Sequence, residues 1–245
     1  MLSRKGYLVK KDNLSSAQTE LINEELNVRP DLVQITPFMP KPQPYPVYRI
    51  TPTLYRLPRY WAVEHFGKPK TDNMPNGVTI NLDFNGILKT ETKQPEAAES
   101  TLDAMNTIGG GVLCLPTGYG KTSTALYIIA QMKVKTIVIV HKEFLMNQWI
   151  ERIQQFLPRA RIGKIQQNTV DIQGKDIVVA MLQSIAMKTY PPETFETFGL
   201  TVVDECHHIC SRVFSCALMT VCTRHTLGLS ATPDRKDGLT KVLHW

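Results

Sequence analysis

The sequence has no uninterrupted apolar run near the roughly twenty residues that a bilayer-spanning helix needs, so membrane insertion is not expected. Its start, Met1 to Lys11, carries basic side chains but no apolar segment of the kind a secretion signal has, which argues against export. Cysteine is scarce. Cys114, Cys206, Cys210, Cys216 and Cys222 make an odd set with no Cys-x-x-Cys pair. That spacing excludes a disulfide framework and speaks against a zinc knuckle, so no zinc is expected and a reducing, cytoplasmic setting is. There is no internal repeat or low-complexity tract, which removes solenoid architectures. Nor is either charge sign strongly in excess. Residues 1–90 hold 12 basic and 8 acidic side chains and residues 91–245 hold 16 and 14, a balance that permits an anionic partner without requiring one.

Hydrophobic content of 42% with 20% charged residues is that of a folded protein with room for one full core and a smaller one. Ten of the 16 prolines fall in the first ninety residues, and Pro37, Pro40, Pro42, Pro44 and Pro46 predict a stiff, extended connector. Before it, Ser16 to Leu26 reads as an amphipathic helix. After it, Val47–Ile50 and Thr53–Leu57 read as short strands, and Arg59–Phe66 as a helix opened by Pro58 and stopped by Gly67. Val78, Ile80, Leu82 and Phe84 alternate with polar residues, the pattern of a half-buried strand. Tyr45, Tyr48, Arg49, Tyr55, Arg56, Arg59, Tyr60 and Trp61 interleave aromatics with arginines. Such a series serves either a nucleic-acid grip or a small core with a charged rim.

From about Gly111 the rhythm becomes strand, helix, strand. Strands are predicted over Gly111–Leu115, Thr136–Val140, Arg161–Ile165, Ile177–Ala180, Leu200–Asp204 and Thr226–Ser230. Helices are predicted over Thr122–Met132, Glu143–Phe156 and Val213–Thr223. Near-continuous apolar strands between helices imply an α/β fold with a parallel sheet covered by helices, and ligands at the strands' carboxyl ends. Trp149, beside Ile150 and Ile153, reads as core packing.

The chemistry begins at Leu115-Pro116-Thr117-Gly118-Tyr119-Gly120-Lys121-Thr122. A buried strand, a glycine turn and Lys-Thr at a helix start form a cradle for a polyphosphate. Gly118 and Gly120 let backbone N–H groups face the phosphates, Lys121 supplies a mobile cation, and the Thr122 hydroxyl suits Mg²⁺. Leu115 stands where the general P-loop pattern has glycine. A second predicted strand delivers Asp204 and Glu205, carboxylates able to hold the metal and to activate a water. A third ends in Ser230-Ala231-Thr232. His141 and Lys142 lie between a strand and a helix start, and Gln183 and Ser184 open a further helix candidate, both suited to phosphate contact.

These boxes, in this order, resemble superfamily two helicases and translocases of the DExH type. Leu115–Thr122 matches motif I, His141–Trp149 motif Ia, Asp204–His207 motif II and Ser230–Thr232 motif III. The Gln148-Trp149 pair and the tail Ser230–Leu239 look most like the XPB-like branch. Met1–Tyr7 and Leu57–Tyr60 look like helicases of large cytoplasmic DNA viruses, of the African swine fever virus type. The resemblance implies residues 91–245 as a RecA-like ATP-binding lobe and residues 1–90 as a small α+β accessory unit, a candidate for nucleic-acid recognition. It implies ATP and Mg²⁺, with the metal held through Thr122 and Asp204, and Lys121, Asp204, Glu205 and His207 as catalytic residues. Gln94 would read the adenine, although it stands two positions late after Leu88-Lys89. Ser230, Ala231 and Thr232 would couple hydrolysis to the grip on RNA or DNA. The family also has a second RecA-like lobe with motifs IV to VI, and no such motifs occur before Trp245. The expected function is ATP-driven movement on, or unwinding of, nucleic acid in viral transcription or repair within the host cytoplasm. Two alternatives stay open: a nucleotide-gated binding module without turnover, and a duplex translocase that does not unwind.

Overall fold

The computed structural model describes residues 1–29, 43–206 and 212–232. The chain divides into two units. The first comprises Met1–Met74 with 207–222 and 233–245, and the second Pro75–Cys206 with Thr223–Thr232.

In the first unit, β1 (Leu2–Ser3), β2 (Gly6–Lys10), β5 (Arg49–Ile50) and β6 (Leu54–Leu57) form an antiparallel sheet in the order β1-β2-β6-β5. A separate pair joins β3 (Asn27–Val28) to β4 (Tyr45–Pro46). Helix α1 (Ser16–Glu25) starts on a capping box in which Ser15 and Gln18 each bond the other's backbone N–H. Helix α2 (Arg59–Phe66) ends at Gly67, whose φ of 77° suits the glycine. Trp61, Leu57, Ile22 and Leu26 are fully buried, and Trp61 Nε1–H donates to Glu25 Oε2 at 2.6 Å. Tyr45, Tyr48 and Tyr55 are buried as well. The aromatic members of the Arg-aromatic series are thus mostly core, and only side chains such as Arg49 face solvent. Of the predicted proline connector, Pro37, Pro40 and Pro42 lie outside the described residues.

The second unit holds α3 (Gln94–Thr107), β7 (Gly110–Cys114), α4 (Lys121–Met132), β8 (Thr136–Val140), α5 (Glu143–Phe156), β9 (Ile162–Gln166), β10 (Thr169–Asp171), β11 (Ile177–Met181), α6 (Leu182–Met187), β12 (Leu200–Val203) and β13 (His225–Ser230). Helix α7 (Arg212–Thr220) falls between β12 and β13 in sequence but belongs to the first unit. The sheet order is β10-β9-β11-β8-β12-β13-β7, parallel throughout except for the β9–β10 hairpin. Thr-Ile-Val-Ile-Val of β8 and Leu-Thr-Val-Val of β12 are buried at every position, as central parallel strands must be. Helices α3, α5 and α6 pack on this sheet and α4 packs between α3 and α5; the inner faces of α3, α4 and α5 form its core with Val138, Val179, Val202 and Leu227.

Two expectations change. Residues 78–84 form no strand; they make one isolated bridge, Thr79 to Val134. Burial follows the alternation only in its middle, with Ile80 and Leu82 inside and Val78 exposed. The backbone bonds, however, go to loops: Val78 N–H donates to the Thr197 carbonyl at 2.8 Å and Ile80 N–H to Lys133 at 2.9 Å. This segment therefore belongs to the second unit. The other change is α3, absent from the predicted helices. It buries Gln94, Ala98, Thr101 and Met105, one face at helical spacing.

Candidate functional site

Strand order decides which residues meet. β13 lies between β12 and β7, with Val203 opposite Gly228 and Ser230 opposite Cys114. Three carboxyl ends, those of β7, β13 and β12, thus share one sheet edge. They carry in turn the glycine loop, Ser230 and the acidic pair. The outer two strands stand about 10 Å apart, twice the usual interstrand spacing, a gap that a lysine and a carboxylate bridge easily.

The loop is built for close backbone approach. Gly118 and Gly120 lie at φ 84° and 78°, a region that penalises any side chain. Gly120 caps α4, whose first turn holds no acidic residue to neutralise the positive end of the helix. Thr124 N–H, Thr124 Oγ1 and Ser123 Oγ all bond the Gly120 carbonyl, fixing the helix start. Lys121 Nζ donates to the Leu115 carbonyl at 3.1 Å, arching back over the loop. Residues Pro116 to Tyr119 are exposed, and Thr122 is half-buried beside Lys121.

Gln94 reaches this loop from α3. Its Nε2 donates to the Tyr119 carbonyl at 2.9 Å, and its Oε1 accepts from Lys89 N–H at 2.9 Å. The residue is only 3% exposed. In this arrangement its amide is committed to backbone groups, so it shapes the loop. A Cβ at Gly120 would sit 2.4 Å from its Nε2.

Asp204 follows β12 and is buried. Burial pushes its carboxyl up from the ordinary value. The bond from Trp149 opposes that rise, the Glu205 charge adds to it, and the Glu205 N–H and the Lys121 ammonium oppose it. Lys121 and Asp204 therefore share one electrostatic neighbourhood. Trp149 Nε1–H donates to Asp204 Oδ2 at 2.9 Å and Glu205 N–H to Oδ1 at 3.0 Å. Glu205 is half-buried with φ 49°, a left-handed conformation that stores roughly 1 kcal/mol or more in a non-glycine residue. Behind it Cys206 packs on Gly228, where a Cβ would meet Sγ at 2.9 Å.

Ser230 is fully buried. Its Oγ donates to the Thr232 carbonyl at 2.6 Å and accepts Thr232 N–H at 3.2 Å, while its carbonyl accepts Leu115 N–H at 3.3 Å. Ser230, Ala231 and Thr232 thus form a tight turn tied to the first residue of the loop. Farther along the same edge, Gln183 Nε2 donates to the His141 carbonyl at 3.3 Å. The Lys142 ammonium lies 5.8 Å from the exposed Phe144 ring. Ser184 is less available than its sequence position suggested, being buried, with Oγ accepting from Gln167 N–H. His207 lies outside the described residues. Sequence reasoning treated Trp149 as core alone; its bond to Asp204 had no signal in the sequence.

Among the described residues no helix is long and apolar enough to cross a membrane. The family model described as type III restriction enzyme, res subunit, matches residues 87–235. A protein of Acanthamoeba polyphaga mimivirus, provisionally named an ATP-dependent RNA helicase, is 31% identical over 247 residues, covering 100% of this chain and 47% of that protein. DNA 3'-5' translocase XPB2 of Sulfurisphaera tokodaii is 35% identical over 183 residues, covering 74% and 40%. A second viral protein with the same provisional description, from African swine fever virus, is 36% identical over 137 residues, covering 54% and 26%. The chain spans about half or less of the length of these relatives. Two solved structures share the fold at low identity. The UvsW helicase of bacteriophage T4 gives a TM-score of 0.59 at 14% identity over 95% of this chain and 92% of that one. The SWI2/SNF2 ATPase core of Sulfolobus solfataricus gives 0.55 at 17%, over 66% and 36%. A glycine loop, an acidic strand end and the Ser-Ala-Thr turn on one parallel-sheet edge thus lie within a match that runs across most of the second unit, and the chain belongs to the type III restriction enzyme res subunit family.

Proposed function

We propose that the chain carries the first RecA-like lobe of an ATP-dependent nucleic-acid helicase or translocase of the DExH type. One observation bears most of the weight: the parallel order β12-β13-β7 brings the glycine loop with Lys121 and the buried Asp204 to the same sheet edge, with a single strand between their elements. A cation from the loop and a carboxylate from the acidic strand end then face the same space.

The residues fit Mg·ATP. Gly118 has open space where a Cβ would stand, so a phosphate can approach the backbone there. Asp204 is a buried carboxylate with no cation within ion-pair distance among the described residues. Thr122 and Asp204 would hold Mg²⁺, which when bound neutralises charge building on the phosphate oxygens. Leu115 to Gly120 cradle the polyphosphate, and Lys121 exchanges its bond to the Leu115 carbonyl for a phosphate oxygen. Glu205 accepts the proton of the attacking water, and His207 follows it two residues on in sequence as a further catalytic candidate. Gln94, its amide held between Lys89 and Tyr119, shapes the loop that receives the nucleotide. Ser230, Ala231 and Thr232, bonded to Leu115 and adjacent to the acidic turn, pass the state of the site towards the nucleic acid. His141, Lys142 and Gln183 hold its backbone, while buried Ser184 fixes the turn at Gln167. A second RecA-like lobe would supply arginines, and lobe closure would drive each step. The viral relatives carry RNA-helicase names; a place in viral transcription in the host cytoplasm would suit such an activity, with the first unit, Met1–Met74 in its main part, as the recognition unit.

The test uses this chain extended to the length of its relatives. ATP hydrolysis is measured with single-stranded RNA, single-stranded DNA and duplex at one salt concentration. Stimulation by nucleic acid, abolished by Lys121→Ala and by Glu205→Gln, is the expected result. Turnover indifferent to all three polymers would point to another class of P-loop ATPase.

A further inference from the structure

Helix α5 contributes Met146, Trp149 and Ile153 to the core, and at this level Trp149 is a large apolar filler. Its N–H sets it apart. A buried indole N–H needs an acceptor, and any backbone carbonyl would do. Here the acceptor is Oδ2 of Asp204, 55 residues away in sequence, at 2.9 Å, with the tryptophan 1% exposed and the aspartate 7%. The other oxygen, Oδ1, takes the Glu205 N–H at 3.0 Å. Turning the carboxylate about its own axis breaks both bonds at once, so its plane is fixed. Each oxygen still keeps a lone pair for an outside partner. A phenylalanine here would fill most of the same space and leave Oδ2 unheld.

We propose that Trp149 is a positioning residue: its indole N–H sets the orientation of Asp204 for a divalent cation. Because Trp149 sits on the helix that begins directly after His141 and Lys142, the same bond ties the proposed nucleic-acid edge to the metal-holding carboxylate through one rigid element. The proposal rests on the reading of Asp204 as a holder of Mg²⁺.

The experiment is equilibrium binding of a fluorescent ATP analogue, mant-ATP, to the 245-residue chain, titrated with Mg²⁺ and repeated in EDTA. Two replacements of Trp149 are compared: Trp149→Phe, and incorporation of 3-benzothienylalanine, which keeps the indole shape but has sulfur in place of N–H. Both are expected to raise the Mg²⁺ concentration at half-saturation about tenfold, the scale seen when an outer-shell partner of a metal ligand is lost. Metal-free binding, carried by Lys121 and the loop, should stay at the wild-type level. The isostere guards against a folding defect, since its melting temperature should match the parent's. An unchanged Mg²⁺ half-saturation in the isostere overturns the positioning role. Wild-type chain that binds mant-ATP with no dependence on Mg²⁺ overturns the underlying assignment of Asp204 instead.

Discussion

Gly228 has no unusual φ, yet the structure predicts that Gly228→Ala is harmful, through Cys206. The new Cβ would lie 2.9 Å from Cys206 Sγ, well inside ordinary contact, and 3.4 Å from both Cys206 Cβ and Val112 Cγ2. Cys206 is 1% exposed and ends the turn that carries Glu205, so it has no solvent side to move to. Overpacking of this kind costs about 2 kcal/mol. For a unit of this size that lowers the melting temperature by roughly 4 to 8 °C. Cys206→Ala alone removes one buried atom, a loss of about 1 kcal/mol. Combined, the two changes should not add. Without Sγ the new methyl keeps only its contacts at 3.4 Å and fills the space the sulfur left. The double variant should therefore be near Cys206→Ala in stability, a coupling of about 2 kcal/mol. Urea unfolding of the four proteins measures it. Mant-ATP hydrolysis gives a second reading, because displacement of Cys206 drags on Glu205: Gly228→Ala should be slow and the double variant restored. Additive stabilities would show that Cys206 does not rest on Gly228 and that the acidic turn is held another way.

Other expectations are as direct. Gln94→Ala removes the links from Lys89 to the loop at Tyr119 and should weaken mant-ATP binding about tenfold; fluorescence titration checks it, and unaltered affinity would remove Gln94 from the site. Glu205→Gln should slow hydrolysis by about 10² to 10⁴ while nucleotide binding persists; rapid-quench assays compare the two, and a modest fall in rate would assign the proton elsewhere. Asp176 accepts hydrogen bonds from Arg161 Nε, Nη2 and N–H, and the Arg161 guanidinium holds its carboxyl below the ordinary value. That stabilisation is present above the unfolded carboxyl's titration near pH 4 and is lost as pH falls through the lower folded value. Asp176→Asn should flatten the acid limb of stability against pH, and parallel limbs in wild type and variant would refute the assignment.

Much of the second unit was legible because its signals are one-dimensional. β8 and α5 have the bounds predicted from apolar runs and their flanks, since a strand buried on both faces writes itself as unbroken Val and Ile. The loop and the acidic pair were legible for a related reason: phosphate binding demands glycine at defined backbone positions, and Gly118 and Gly120 have the left-handed φ implied. What escaped was set by tertiary contact. Val78 to Phe84 carries strand-like alternation, but its N–H groups find loop carbonyls rather than a neighbouring strand. Helix α3 has Ala and polar residues on its buried face, with Gln94 and Thr101 where apolar residues would have marked it. The interleaved aromatics and arginines left two readings open, and only burial separates the Tyr and Trp side chains from a surface grip.

The Trp149 bond shows why a site can be half visible. Sequence spacing marks the groups that meet a ligand, because the ligand's shape constrains the local backbone. The group that orients Asp204 is constrained only by where α5 lies on β8 and β11, a property of the whole sheet. Sheet order matters in the same way: it makes Ser230 a neighbour of both loop and acidic turn, although the three are far apart in sequence. On the proposed reading, a change of nucleotide state at Lys121 and Asp204 would reach Ser230 through one strand and the start of α5 through one indole. Both routes are short and packed, and a small shift can pass along such elements only as a discrete rearrangement. If either route carries the coupling, Ser230→Ala and the Trp149 isostere should reduce stimulation by nucleic acid more than basal hydrolysis, and equal losses in both rates would exclude it.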